Sequence, residues 1–254
     1  MNPVLAVPLR AVGGFFELIA DTARATLRRP VQFQEFVDQS WFIAGVSIMP
    51  TLLVAIPFTV LVCFTLNILL REFGAADLSG AAAAFGSVTQ VGPIVTVLIV
   101  AGAGATAICA DLGARTIREE IDAMKVLGID PIARLVVPRV AASMFVAAML
   151  NGLVSTIGIV GGFAFSVFLQ GVNPGSFVNG ITLLVHLPDL VLSEIKATLF
   201  GLIAGLVACY LGLNVKGGPK SVGDAVNQTV VFSFMALFVV NVVLTAIEVK
   251  LTVR

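Results

Sequence analysis

The sequence predicts an all-α integral membrane protein, with an N-terminal amphipathic helix, five transmembrane helices and a short cytoplasmic helix between the second and third spans. Of its 254 residues, 58% are hydrophobic and only 12% are charged, whereas soluble domains carry about 25% charged residues. The hydrophobic residues form runs of about twenty or more, long enough to cross a bilayer as helices. The formal net charge is zero, so nothing electrostatic indicates a nucleic-acid partner. We expect a single domain, with residues 1–40 preceding a transmembrane body at 41–254.

The first forty residues predict a helix lying along the membrane surface. Apolar side chains recur at helical spacing on one face: Val12, Phe16, Ile19, Ala23 and Leu27. Charged side chains occupy the opposite face: Glu17, Asp21, Arg24 and Arg28. This pattern is typical of the membrane interface, although an amphipathic helix packed on the protein itself would share it. The run from Arg28 through Arg29 to Pro30 is expected to end the helix, and the segment does not resemble a signal peptide.

Five apolar runs are expected to cross the membrane. We place them at about 42–70, 81–110, 136–169, 190–213 and 226–247. The patterns Gly158-x-x-x-Gly162 and Gly201-x-x-x-Gly205, and the small residues at 101–105, allow helix backbones to approach closely. The prolines at positions 50, 57 and 93 either kink the first two spans around a cavity or are simple packing kinks.

The basic residues are distributed unequally between the two ends of the predicted spans. One side collects eleven of them: Arg10, Arg24, Arg28, Arg29, Arg115, Arg118, Lys125, Arg134, Arg139, Lys216 and Lys220. The other side collects three, namely Arg71, Lys250 and Arg254. Cytoplasmic loops carry the excess of lysine and arginine. We therefore expect a multi-pass membrane protein with a cytoplasmic N-terminus and an external C-terminus.

The long charged passage at 111–139 predicts a structured loop between the second and third spans. Its apolar residues Ile117, Ile121 and Met124 share one helical face, and five charged residues share the other: Arg115, Arg118, Glu119, Asp122 and Lys125. Arg115 with Glu119, and Arg118 with Asp122, have the spacing of ion pairs on a helix. Gly128 is expected to end that helix, and Asp130 followed by Pro131 to begin the next. The passage is either a docking element or an ordinary solvated loop helix.

No arrangement of side chains predicts a catalytic or metal site in this chain. The cysteines Cys63, Cys109 and Cys209 are widely spaced, and the single histidine, His186, lies in a predicted loop. Glu194 and Lys196 lie in the fourth span two positions apart, so they do not face each other on a helix, and Asp111 ends the second span. The segment 216–221 lacks the spacing of a phosphate-binding loop. If the protein is an active transporter, its energy must therefore come from another chain.

The charged passage resembles the MlaE/YrbE lipid permeases, and most closely the YrbE permeases that accompany Mce proteins. The resemblance rests on the run 119–124, EEIDAM, on 128–131, GIDP, and on 137–139, VPR. The segments 66–69, 90–93 and 216–230 fit as well, so the resemblance covers nearly the whole chain. One departure is the small-residue run at 101–107, AGAGATA, where Gram-negative members often carry an arginine. Headgroup handling by such an arginine is therefore not carried over.

The resemblance implies a permease subunit that pairs with a second, identical or homologous permease and with an ABC-type ATPase dimer. Such complexes move lipids between the inner membrane and an external Mce assembly, and the Mce-type likeness favours import. ATP and Mg²⁺ would bind the ATPase, with no cofactor, metal or catalytic residue in this chain. The loop helix would act as the coupling helix, with six expected contacts: Arg115, Arg118, Glu119, Glu120, Asp122 and Lys125. The sequence leaves the lipid (fatty acid, sterol or phospholipid) and the residues that bind it open. A membrane scaffold that anchors an Mce-type complex without transport is the alternative, and an intramembrane enzyme using Asp111, Glu194 or His186 is weakly supported.

Overall fold

The computed structural model describes residues 3–27 and 32–252, and every regular element in them is a helix. In chain order these are α1 Pro3–Thr26, α2 Phe33–Glu72, α3 Ser79–Ile117, α4 Glu120–Val126, α5 Ile132–Leu169, α6 Pro174–Leu184, α7 Leu187–Leu213 and α8 Pro219–Thr252. Within the described ranges, five helices are long and apolar enough to cross a membrane: α2, α3, α5, α7 and α8. The prediction of an all-helical protein with five spans is therefore confirmed. The helix α6, between the third and fourth spans, was not predicted.

The helix α1 exists as predicted, but it packs through a different face from the one the apolar pattern indicated. Leu18 and Ala25 are buried, together with Thr22. Val12 and Phe16, on the predicted apolar face, are 54% and 64% exposed. The helix therefore packs on the protein through one stripe and leaves an apolar stripe uncovered. Residues 28–30, which were expected to end the helix, lie outside the described residues.

The long helices contain π-turns where the sequence disturbs regular hydrogen bonding. In α3 one π-turn covers Gly86–Val91 and a second covers Val100–Gly104. Pro93, just after the first, has no N–H to donate to the preceding turn. The hydroxyl of Ser193 on α7 donates a hydrogen bond to the carbonyl of Val88 in this region, at 2.9 Å. A side chain of another helix thus satisfies part of the backbone that the disturbed turn leaves open.

Contacts divide the chain into two compact units. The first takes Met1–Val46, Val100–Phe145 and Gly201–Leu237. In it, Gly201 and Gly205 of α7 lie against Ser143 of α5, and the Ser143 hydroxyl donates to the carbonyl of Gly201 at 2.7 Å. A side chain at either glycine would collide with α5, so this GxxxG pattern does bring two helices together.

The second unit takes Ser47–Ile99, Val146–Phe200 and Phe238–Arg254. Gly158 and Gly162 of α5 face neighbouring helices here: Gly158 meets Ser87 on α3, and Gly162 meets Cys63 on α2. Phe177 of α6 is fully buried, and its backbone lies against Gly80 at the start of α3. The unpredicted helix α6 is therefore anchored on α3 through a site that only glycine can occupy.

Candidate functional site

The charged loop begins later and has a sharper bend than the sequence indicated. Helix α3 continues to Ile117, seven residues beyond the predicted end of the second span, because Ile108 and Leu112 are fully buried and extend its packed face. Asp111 therefore lies inside α3 and does not end it. Glu119 then adopts a left-handed conformation with φ of 60°. The prediction of one continuous helix through Ile117, Ile121 and Met124 was wrong, because this backbone break separates α3 from α4.

The break also changes the ion pairs. The predicted i,i+4 pairs of Arg115 with Glu119 and of Arg118 with Asp122 are replaced by other partners. Arg115 Nε lies 3.3 Å from Asp111 Oδ1, and Arg118 Nε lies 3.0 Å from Glu120 Oε1. Lys125 Nζ contacts Asp122 Oδ1 at 2.9 Å. The i,i+4 geometry requires a continuous helix, and the chain is not helical at Glu119.

The two ends of α4 follow the sequence signals. Gly128 has φ of 75°, the left-handed conformation that glycine adopts after a helix. Asp130 Oδ1 accepts a hydrogen bond from the Ile132 N–H at 2.9 Å, across Pro131. Both the stop at Gly128 and the restart at Asp130 are therefore confirmed.

The predicted apolar face of α4 turns inward, and the apolar residues at its end turn outward. Ile121 is buried, and Met124 is half-buried. Val126 and Leu127, by contrast, are 87% and 74% exposed, and Ile129 is also exposed. Two large aliphatic side chains are therefore uncovered at the tip of a charged loop, outside the helices that are long enough to cross a membrane.

The structure gathers the six predicted site residues at this loop, with differing exposure. Three are strongly exposed, with side chains 63% exposed at Arg118, 71% at Asp122 and 59% at Lys125. Glu119 is exposed as well. The remaining two, Arg115 and Glu120, are partly covered and lie 3.9 Å apart. The outer part of the loop therefore offers charges of both signs around the apolar tip.

A buried arginine below the loop was missed at the sequence level. Arg139, counted there among the loop cations, lies in α5 and has no exposed surface. Its Nη2 donates to Asp111 Oδ2 of α3 at 2.6 Å, and its Nη1 donates to the carbonyl of Leu135 at 3.0 Å. Glu35 Oε1 of α2 lies 3.8 Å away. One buried cation thus joins three helices directly below the charged loop.

A second buried ion pair lies in the other unit. Lys196 of α7 is paired with Glu248 of α8, with side chains only 4% and 8% exposed, and Lys196 Nζ also contacts the Thr245 hydroxyl at 3.3 Å. Glu194 instead accepts a hydrogen bond from Asn151 Nδ2 at 3.1 Å. Glu194 and Lys196 therefore have separate partners, as their spacing predicted. The partner Glu248 was not anticipated, because it lies just past the predicted end of the fifth span.

Comparison with known proteins gives the family. Residues 36–247 match the family described as Permease MlaE. A probable ABC transporter permease protein of Synechocystis is 34% identical over 181 residues, which is 70% of this chain and 68% of that protein. The chloroplastic protein TRIGALACTOSYLDIACYLGLYCEROL 1 of Arabidopsis thaliana is 29% identical over 80% of this chain, and the match covers 57% of its own length. The intermembrane phospholipid transport system permease protein MlaE of Haemophilus influenzae is 28% identical over 71% of this chain and 69% of its own.

Five membrane-length helices and a structured, charged loop, together with these relatives, define a multi-pass membrane protein of the ABC permease class. Within that class, the chain belongs to the MlaE permease family. The resemblance to the MlaE permeases is therefore confirmed.

Proposed function

We propose that this chain is the membrane-spanning subunit of an ATP-driven lipid transporter, and that the loop around α4 docks on a separate ABC-type ATPase. The observation that carries the proposal is the exposed pair Val126 and Leu127 at the end of α4. Their burial on a partner would remove a large apolar area from water. The exposed charges of Arg118 and Asp122 beside them would fix the orientation of the partner.

The ion pairs supply a path by which movement of the docked loop would reach the membrane helices. Arg118, next to the backbone break at Glu119, forms an ion pair with Glu120 at the start of α4. Arg115 forms an ion pair with Asp111 within α3. Asp111 in turn pairs with Arg139 of α5. When nucleotide binding closes the ATPase dimer, α4 would be displaced, and α3 and α5 would follow as packed rigid elements.

We propose phospholipid as the substrate, and the name of one relative supports this choice. The Haemophilus relative is named for intermembrane phospholipid transport, so phospholipid is the first substrate to test, with fatty acids and sterols next. We further propose a plasma-membrane location with the loop and N-terminus cytoplasmic, a second permease subunit, and an external Mce-type protein that delivers lipid for import. The excess of basic residues on the loop side supports this orientation.

The docking proposal is tested with the double variant Val126→Asp/Leu127→Asp in the assembled complex. Its control is Leu183→Asp/Leu184→Asp, which changes two neighbouring aliphatic residues of α6 that are 58% and 54% exposed. The α4 variant should lose co-purification of the ATPase, while the α6 variant should retain it. Full retention of the ATPase by the α4 variant would disprove docking at this loop.

Coupling is tested separately with Glu119→Lys/Glu120→Lys, using Glu72→Lys at the far end of α2 as the control. We expect the double variant to remain folded while transfer of labelled phospholipid between vesicles no longer depends on ATP hydrolysis. Unchanged ATP-dependent transfer would refute the role of these charges. A wild-type complex that hydrolyses ATP but never transfers lipid would favour a scaffold that only anchors an external assembly.

A further inference from the structure

The first unit contains an apolar cavity that the proposed function does not use. Its volume is about 530 Å³. It is lined by side chains of α1, α7 and α8: Val12, Phe15, Val207, Tyr210, Leu211, Gln228, Phe232 and Ala236. On each helix the lining residues recur three or four positions apart, so each helix contributes one face. Along α8 the lining extends from Gln228 to Ala236, a rise of about 12 Å along the helix. We call this cavity the α1 groove.

The mouth of the α1 groove continues into surface that is uncovered in this chain. Val12 and Phe232 line the groove and are 54% and 53% exposed. Phe16, one turn from Val12, is 64% exposed. Only 11% of the most apolar stretch of α8 is buried within the chain. Because α8 is a membrane-length helix, the groove opens on a surface of the kind that lipid chains cover.

The lining of the α1 groove favours an apolar occupant from the bilayer. Its eight lining residues are apolar except for Tyr210 and Gln228, and the groove borders a membrane-length helix that has little buried surface. A lipid acyl chain is the apolar group that such a surface meets in a membrane.

The polar groups of the groove are placed for a lipid that has one polar end. Gln228 lies on α8, one turn before Phe232, and its exposed side chain carries an amide that can donate a hydrogen bond. Tyr210 packs edge-on against Phe15 at 5.6 Å and lies against Gly14. This contact holds α1 against α7 along one wall of the groove.

We infer that the α1 groove binds one acyl chain of a membrane lipid, whose ester or carboxyl oxygen accepts a hydrogen bond from the Gln228 amide. The bound chain fills the space between α1 and the two spans and thereby fixes α1 in place. This site is separate from the docking loop and requires neither the ATPase nor transport. Its occupant is a resident lipid of the leaflet in which α1 lies.

The test uses the full-length protein in vesicles of phosphatidylethanolamine and phosphatidylglycerol, with a phosphatidylglycerol that carries a photoactivatable group on one acyl chain. After irradiation, the labelled residues are mapped by peptide mass spectrometry. We expect labelling to concentrate on the groove residues Val207 and Phe232. Ala236→Phe, which fills the groove, should lower that labelling about tenfold, corresponding to about 1.4 kcal/mol. Val231→Phe, at an exposed position of α8 outside the groove, should leave it unchanged.

A second variant separates loss of the lipid from loss of the fold. Gln228→Leu changes an exposed side chain and should lower groove labelling about threefold, as expected for the loss of one hydrogen bond. Labelling spread evenly over the exposed residues of α8, or equal labelling in Ala236→Phe and Val231→Phe, would overturn the proposal. So would crosslinks between two copies of the chain through groove residues, because they would identify a second subunit as the occupant. Failure of the ATPase to dock would leave all these outcomes unaffected.

Discussion

Replacing Asp111 with asparagine tests whether the buried cation below the loop is a principal element of stability. The change leaves Arg139 charged and without exposed surface, with Glu35 at 3.8 Å as its remaining acidic neighbour. Removal of one partner of a buried ion pair costs about 3–5 kcal/mol. Because the Asp111 side chain is 28% exposed, water can replace part of the interaction, and we expect about 2–3 kcal/mol. For a chain of this size, that loss lowers the midpoint of thermal unfolding by about 4–12 °C.

Substitution of the other partner, Arg139, should destabilise the protein less. Arg139→Met removes the buried charge itself, and Asp111 retains Arg115 at 3.3 Å and its access to water. The double variant Asp111→Leu/Arg139→Met leaves no buried charge unpaired and should recover at least half of the loss caused by Asp111→Asn.

Thermal unfolding of the purified protein in one detergent, followed by circular dichroism, compares these variants. The control is Asp122→Asn, which breaks an exposed pair with Lys125 and should cost less than about 0.5 kcal/mol. If Asp111→Asn lowers the unfolding midpoint no more than Asp122→Asn does, the Arg139 network does not hold these helices together.

Three further features of the chain can be tested by substitution. Lys196→Met should be destabilising, by about 3 kcal/mol, because it removes the cation that lies against the buried Glu248 carboxylate. Lys196→Met/Glu248→Leu should restore most of the unfolding midpoint, and failure to restore it would mean that packing dominates. Glu119→Gly should raise the free energy of unfolding by up to about 1 kcal/mol, because glycine adopts a left-handed conformation without the strain of a side chain. A lower unfolding midpoint would show instead that the Glu119 side chain stabilises the break. Gly201→Ala should prevent close packing of α7 on Ser143 and reduce the yield of folded protein in membranes. Gly161→Ala, at a glycine with nothing near its would-be side chain, should instead be neutral or stabilising, and equal effects of the two alanines would refute the packing argument.

Several local features could be predicted because neighbouring residues produce them. The start at Asp130 and Pro131 and the stop at Gly128 depend on backbone preferences and nearby hydrogen bonds, and the structure reproduces both. The break at Glu119 has no such signal, because glutamate rarely adopts positive φ. Because the break could not be predicted, the periodicity indicated one continuous helix, and the ion pairs predicted from that helix were wrong.

The buried charges could not have been predicted in the same way. Arg139 looked like one more loop cation, because composition does not distinguish an exposed arginine from one enclosed by Asp111 and Glu35. Lys196 and Glu248 are 52 positions apart, and no periodicity relates them. The α1 groove likewise depends on residues from three helices that are distant in the sequence.

The sequence by itself determined that this is a five-span membrane protein of the MlaE permease family, with a charged loop after the second span. Hydropathy, glycine and proline positions and a short motif are sufficient for that, because each acts over a few neighbouring residues. Only the tertiary structure decided which charges are buried and paired, which face of α1 packs, and where an apolar cavity opens between α1, α7 and α8. Those properties depend on which helices lie side by side. A charge becomes costly to leave unpaired only when packing of the helices buries it in an apolar environment.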